Sequence, residues 1–136
     1  MTLDTSANPR YYLVKYLWGG RTLEPSDLAR IIVDIISDKK GEDVLMLDTR
    51  PVSFIADYFV IGTAESERQL KAISDEIQKQ LKTQSVRPLG VEGTPGSGWV
   101  LLDYGSVIAH LLSPEMRDYY DLEKLWAKAP VVVRMQ

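Results

Sequence analysis

Apolar positions recur along the first half of the chain with two different periods. Leu28, Ile31, Ile32, Ile35 and Ile36 fall at i, i+3, i+4, i+7 and i+8, one stripe of an amphipathic helix. Ser26 is placed to cap its first turn, and Asp27 suits the positive end of the helix dipole. Lys39, Lys40 and Gly41 supply a basic last turn and a left-handed stop. Val44 to Leu47 is a continuous apolar run of strand length, which predicts a strand covered on both faces. Asp48 to Pro51 interrupts it, and Tyr58-Phe59-Val60-Ile61 is the next strand. Ser66-Glu67-Arg68-Gln69 reads as a capping box, with the serine accepting from the third amide and Gln69 reaching back. The helix it opens buries Leu70, Ile73, Ile77 and Leu81.

The second half is richer in strands. A strand near Val86 to Val91 is followed by Trp99 to Asp103 and Val107 to Leu112, the last two joined by the tight turn Tyr104-Gly105-Ser106. Pro114 begins a short final helix. Helices alternate with strands, yet one pair of strands forms a hairpin, so the expected fold is α/β with a mixed five-stranded sheet and helices packed on it. Residues 25–128 are read as this domain, 1–24 as an N-terminal extension of unassigned role, and 129–136 as an extended C-terminal tail. The extension carries the aromatic run Tyr11 to Trp18, of high strand propensity, between the breaks Asn8-Pro9 and Gly19-Gly20.

Charge and composition narrow the function. With 45% hydrophobic and 26% charged residues the chain has the make-up of a soluble globular domain. Sixteen basic and nineteen acidic side chains give a net charge of -3, and the only basic cluster is Lys39-Lys40. Binding to nucleic acid draws its affinity from neutralised phosphates, so direct nucleic-acid specificity is not expected. There is no cysteine, which removes disulfides, thiolate nucleophiles and thiolate-bound zinc. No apolar run approaches the roughly 20 residues of a membrane span, and Met1 to Pro9 lacks the features of a signal peptide, so a cytoplasmic protein is expected.

Residues that carry chemistry are sparse. Two-metal phosphoryl transfer needs clustered carboxylates on a strand, and Glu65 and Glu67, a pair of acids spaced by two, flank a helix start instead. Asp57 and Asp103 are single acids at strand borders. Gly93-Thr94-Pro95-Gly96-Ser97-Gly98 lacks the Lys-Ser/Thr of a phosphate-binding loop and precedes a strand, which makes it a hairpin loop. Ser106 and His110 would lie roughly 13 Å apart along an extended strand, too far for a triad with Asp103. No catalytic residue, metal ligand or cofactor is expected.

Two blocks of residues resemble the ribosomal silencing factor family, also called Iojap-related. Glu92, Gly93, Trp99, Asp103, Gly105, His110, Arg117, Tyr120, Leu122, Glu123, Leu125 and Trp126 fit its pattern of an E-G…W strand, a D-x-G-D turn, a strand with one histidine and R-x-x-Y-x-L-E-x-L-W. Asp57 to Thr63, with Ser66, Arg68 and Gln69, forms the second block. The turn departs from the pattern at Ser106, where the family has a second acid. The resemblance spans about residues 26–127 and implies a nucleotidyltransferase-like fold without its catalytic residues. It also implies a protein that binds the large ribosomal subunit through its protein number fourteen, blocks subunit association and represses translation under nutrient limitation. A large-subunit assembly factor is the alternative, and a nucleotide-binding or nucleotidyl-transferring enzyme a remoter one.

From this resemblance the candidate partner-binding residues are Asp57, Arg68, Glu92, Trp99, Asp103, His110, Arg117, Tyr120, Leu122, Glu123 and Trp126. Each has a plain structural reading beside it. His110 shares a strand face with Ile108 and Leu112, the setting of a core histidine, and Asp57 suits a turn. Arg68 opposes the dipole of its helix, which favours a role outside the protein. Trp99, flanked by glycine, is expected half-exposed, and Trp126 is placed to cover the end of the core. Arg117 and Glu123 can pair on the surface, a contact worth little. A sheet edge and apolar residues near the C-terminus leave room for a homodimer when the protein is free.

Overall fold

The computed structural model describes residues 24–136 and contains six strands in the order β3-β4-β5-β2-β1-β6. The chain runs α1 (Pro25–Asp38), β1 (Glu42–Asp48), β2 (Tyr58–Thr63), α2 (Glu67–Thr83), β3 (Gly90–Thr94), β4 (Trp99–Asp103), β5 (Val107–Leu112), α3 (Pro114–Tyr120), α4 (Leu122–Leu125) and β6 (Val131–Met135). The expectation for Tyr11 to Trp18 falls outside the described residues.

The sheet is mixed, as the pattern of elements predicts, but it has six strands rather than five. The C-terminal tail pairs antiparallel with β1, Val44 opposite Met135 and Met46 opposite Val133. A valine-rich run satisfies its backbone by extending the free edge of β1. Only β2 and β5 are parallel, and the remaining neighbours are antiparallel. Strands β1 and β2 therefore form an antiparallel hairpin across the loop 49–57, in addition to the expected β4–β5 hairpin.

Alternation along the strands divides the core in two. On one face Val44, Met46, Val60, Val100, Leu102, Ala109 and Leu111 pack against α1 and α2, through Leu28, Ile32, Ile36, Leu70, Ile73 and Ile77. The other face carries Leu45, Leu47, Phe59, Ile61, Ile108 and Leu112, covered among the described residues by Ala56 of the loop 49–57 and by the C-terminal segment through Leu122, Ala129, Met116 and Trp126. Both faces of β1 are buried, in keeping with its unbroken apolar run.

Several local readings change. Pro25 takes the first helical position of α1, so Ser26 lies inside the helix and Glu24 is its N-cap, with no side-chain cap bond. At the other end Lys40, not Gly41, has the left-handed conformation, at φ 66°. Gly41 is required for close approach, since a Cβ there would lie 2.4 Å from Ile36 Cγ2. Ser66 does cap α2, accepting from the Gln69 amide at 3.1 Å. Gln69 reaches one residue further back than a capping box would, accepting from the Glu65 amide at 2.7 Å. Its amide group donates to the Lys39 and Lys40 carbonyls, at 3.3 Å and 2.9 Å, tying the start of α2 to the end of α1. The strand expected at Val86 to Val91 starts instead at Gly90; Val86 is buried as a core plug in the preceding loop.

Candidate functional site

Strand β4 begins with Trp99 and places Leu101 two residues on, so both project to the face that lacks the long helices. Helix α3 crosses that face after Ser113, whose hydroxyl accepts from the Met116 amide at 3.2 Å. Met116 and Tyr120, four residues apart, present the same side of α3 to β4. Between them opens a groove of about 460 Å³ lined by Glu92, Gly93, Ser97, Trp99, Leu101, Met116 and Tyr120. Its walls are aromatic: the rings of Trp99 and Tyr120 lie 4.5 Å apart, and Tyr119 meets Tyr120 edge-on at 4.9 Å. Tyr119 and Tyr120 are exposed, at 79% and 46%, so the groove opens onto an aromatic rim.

Behind the groove a line of rings crosses the sheet. Trp99 Nε1 donates to His110 Nδ1 at 3.3 Å. His110 packs against the edge of Phe59 at 5.0 Å, and Trp126 meets Phe59 edge-on at the same separation. His110 is buried, and burial pushes its pKa down to about 4, so the imidazole is neutral near pH 7. Its Nε2 is buried with no hydrogen-bond partner.

A second arrangement fixes the C-terminal segment to the sheet. Arg117 is only 8% exposed. Its Nη1 donates to Thr63 Oγ1 at 2.8 Å and its Nε to Glu123 Oε1 at 2.9 Å, while Nη2 lies 3.6 Å from Asp43 Oδ2. The expected surface pair is thus a part-buried one, its arginine buried and its glutamate half-buried, because α3 brings Arg117 to Thr63 at the end of β2. A buried guanidinium deprived of its carboxylate is costly, so the pair matters to folding in a way a surface contact does not.

The remaining expected residues separate from these. Asp103 ends β4, about 13 Å of strand away from Trp99. Its Oδ1 accepts from the Gly105 amide at 2.8 Å, closing the β4–β5 turn. Asp57 lies at the same end, its amide donating to the Ser106 carbonyl at 2.8 Å. Ser106, where the family pattern has an acid, is fully buried and its hydroxyl has no partner. Arg68 is exposed on α2, against the opposite face of the sheet, and Leu122 is a core residue at 8% exposure. The structure therefore gathers Glu92, Trp99 and Tyr120 into the groove, sets His110 and Trp126 behind it, and pairs Arg117 with Glu123. Among the described residues no group of three or more His, Asp or Glu side chains is placed to hold a metal ion.

The groove also contains residues that the sequence did not single out. Leu101 was legible from the two-residue period of β4 and Met116 from its spacing to Tyr120. Gly93, part of the family pattern, arrives by its pairing with Val100 in β4, whereas Ser97 was not legible, because the short 3₁₀ turn Pro95–Ser97 brings it there.

The model of the family described as "Ribosomal silencing factor during starvation" matches residues 22–136. The chain belongs to this family. It is 40% identical over 106 residues to the ribosomal silencing factor RsfS of Halalkalibacterium halodurans, covering 78% of this chain and 91% of that protein. A Mus musculus protein, "Mitochondrial assembly of ribosomal large subunit protein 1", is 34% identical over 99 residues, 71% of this chain and 43% of that protein. Among solved structures, a Chromobacterium violaceum protein superimposes with a TM-score of 0.74 at 35% identity, covering 77% of this chain and 88% of that one. The family model includes β6, in keeping with its place in the sheet.

Proposed function

We propose that this protein binds the large ribosomal subunit through its protein number fourteen and there blocks association with the small subunit, repressing translation when nutrients are limiting. The observation that carries the reading is the aromatic groove of Trp99, Leu101, Met116 and Tyr120, open to solvent in a member of a silencing factor family. Exposed aromatic side chains beside a pocket are the groups that dominate interface energetics. Glu92 on the groove and the net charge of -3 suit a basic ribosomal protein better than RNA. Occlusion needs affinity and position but no reaction, so the protein acts as a binding factor of the cytoplasm and not as an enzyme. The exposed apolar side chains Tyr119 and Leu125 serve a homodimer when the subunit is absent.

The test is sedimentation of purified subunits with added protein. Co-migration with the large subunit and a smaller associated fraction are expected. Unchanged subunit joining at saturating excess defeats the proposal. A role in large-subunit assembly is the second reading, supported by the name of the mouse relative. It uses the same contact at an earlier time, and accumulation of large-subunit precursors on depletion during growth distinguishes it.

A further inference from the structure

Position 110 lies mid-strand in β5, on a face otherwise occupied by Ile61, Ile108, Leu112 and Phe59. A leucine or phenylalanine would fill it without polar atoms. The histidine instead leaves Nε2 buried and unpaired, a cost with no return inside the core itself. Its other nitrogen has one use. Nδ1 accepts the indole N–H of Trp99 at 3.3 Å, so the neutral ring carries its proton on Nε2.

Trp99 needs that acceptor. It follows Gly98, which is left-handed at φ 81°, and its ring is only half-buried between His110 and Tyr120. Among the described residues the Trp99 indole N–H has no other acceptor, and without His110 the ring can rotate about its two side-chain torsions toward the groove it lines. His110 is in turn held by Phe59, edge-on at 5.0 Å and 63°.

We propose that His110 is a positioning residue of the docking groove, holding the Trp99 indole through Nδ1 so that the groove is open before the partner arrives. This rests on the reading of the groove as the docking face. Preorganisation of this kind lowers the ordering cost of association. Burial supports the role, because a histidine whose pKa is pushed down to about 4 stays neutral and keeps Nδ1 as an acceptor under physiological conditions.

The experiment uses His110→Asn, whose side-chain oxygen falls near the position of Nδ1, and His110→Phe, which keeps the ring volume and lacks the acceptor. Nitrogen–proton NMR of the three tryptophan indoles, with Trp99 assigned by Trp99→Phe, reads the hydrogen bond without reference to any partner. The Trp99 signal is expected to stay near its wild-type position in His110→Asn and to move in His110→Phe. Binding to the large subunit should fall about tenfold in His110→Phe and stay within about twofold in His110→Asn. An unmoved indole signal in His110→Phe overturns the proposal, as does a moved signal with unchanged binding or a failure of His110→Asn to rescue. If His110→Phe does not fold, His110→Leu takes its place. Wild-type protein that fails to bind the large subunit defeats the docking reading alone, and the indole signals still decide whether His110 holds Trp99.

Discussion

Arg117 Nη1 donates to Thr63 Oγ1 at 2.8 Å, joining residues 54 positions apart in sequence across the junction of α3 and β2. The aromatic segment that rims the groove hangs from this contact and from the Arg117–Glu123 pair. Because Arg117 is 8% exposed while the Glu123 side chain is 31% exposed, the two partners are not equivalent. Removing the carboxylate strands a buried charge with only the longer contact to Asp43. Glu123→Ala should therefore cost about 2–3 kcal/mol, measured by urea unfolding. The double variant Arg117→Leu with Glu123→Leu should cost less than the two single changes added together. Strict additivity would show that the pair contributes nothing.

Gly93 tests the hairpin that forms one wall of the groove. Its φ is 79°, and a Cβ there would lie 2.0 Å from the Trp99 carbonyl oxygen. Both the left-handed backbone and the approach of β4 forbid a side chain. Gly93→Ala should lower stability by about 2 kcal/mol or more and shift the amide signals of residues 90–103. Gly90→Ala is the control: nothing lies within 4 Å of its added Cβ, so the effect should be small. Equal losses at the two positions would remove the special role of Gly93.

The elements that sequence made legible are those whose signal is local. The isoleucine stripe of α1, the unbroken run of β1 and the Ser66 cap need no more than spacing to be read. The misplaced features depend on partners far away in the chain. Whether Val131 to Met135 is a tail or a strand is decided by the open edge of β1, and the depth of Arg117 by where α3 lands on Thr63. Of the site, the family pattern pointed to Trp99, His110 and Tyr120, but not to their order in depth. That order follows from the register of β4 and β5, in which Leu101 faces His110 and Trp99 faces Leu112.

Binding and folding should separate at the groove. Tyr120 is 46% exposed and helical, so Tyr120→Ala removes contact surface at little cost in stability. Affinity for the large subunit should drop about tenfold or more for Tyr120→Ala and Trp99→Ala, with circular dichroism unchanged. Trp126→Ala differs, because that ring packs edge-on against Phe59 at 5.0 Å in the lesser core. It should lose stability first, read as a lower melting temperature. Full affinity in both groove variants would place the docking face elsewhere.

Acid should destabilise the fold through the single histidine. In an unfolded chain a histidine titrates near its ordinary value of about 6.5. In the folded protein burial pulls His110 down to about 4. Between these values the unfolded state holds a proton that the folded state does not, so stability rises with pH across the window. The contribution is fully present above about pH 6.5 and is lost as pH falls toward 4, on the order of 3 kcal/mol in all. Carboxylates add a separate acid sensitivity. Asp48 is held below its usual range by the hydrogen bonds from Arg50, so its contribution disappears as pH falls through that lower range. His110→Asn has no group that titrates there and isolates the first effect from the second. Urea unfolding of both proteins at pH 7.5, 6, 5 and 4.5 should show wild type losing stability steeply and His110→Asn only gradually. Parallel curves would mean that His110 becomes protonated in the folded state as readily as in the unfolded one, and Nδ1, the nitrogen that takes the added proton, would then have to give up the Trp99 hydrogen bond at no cost.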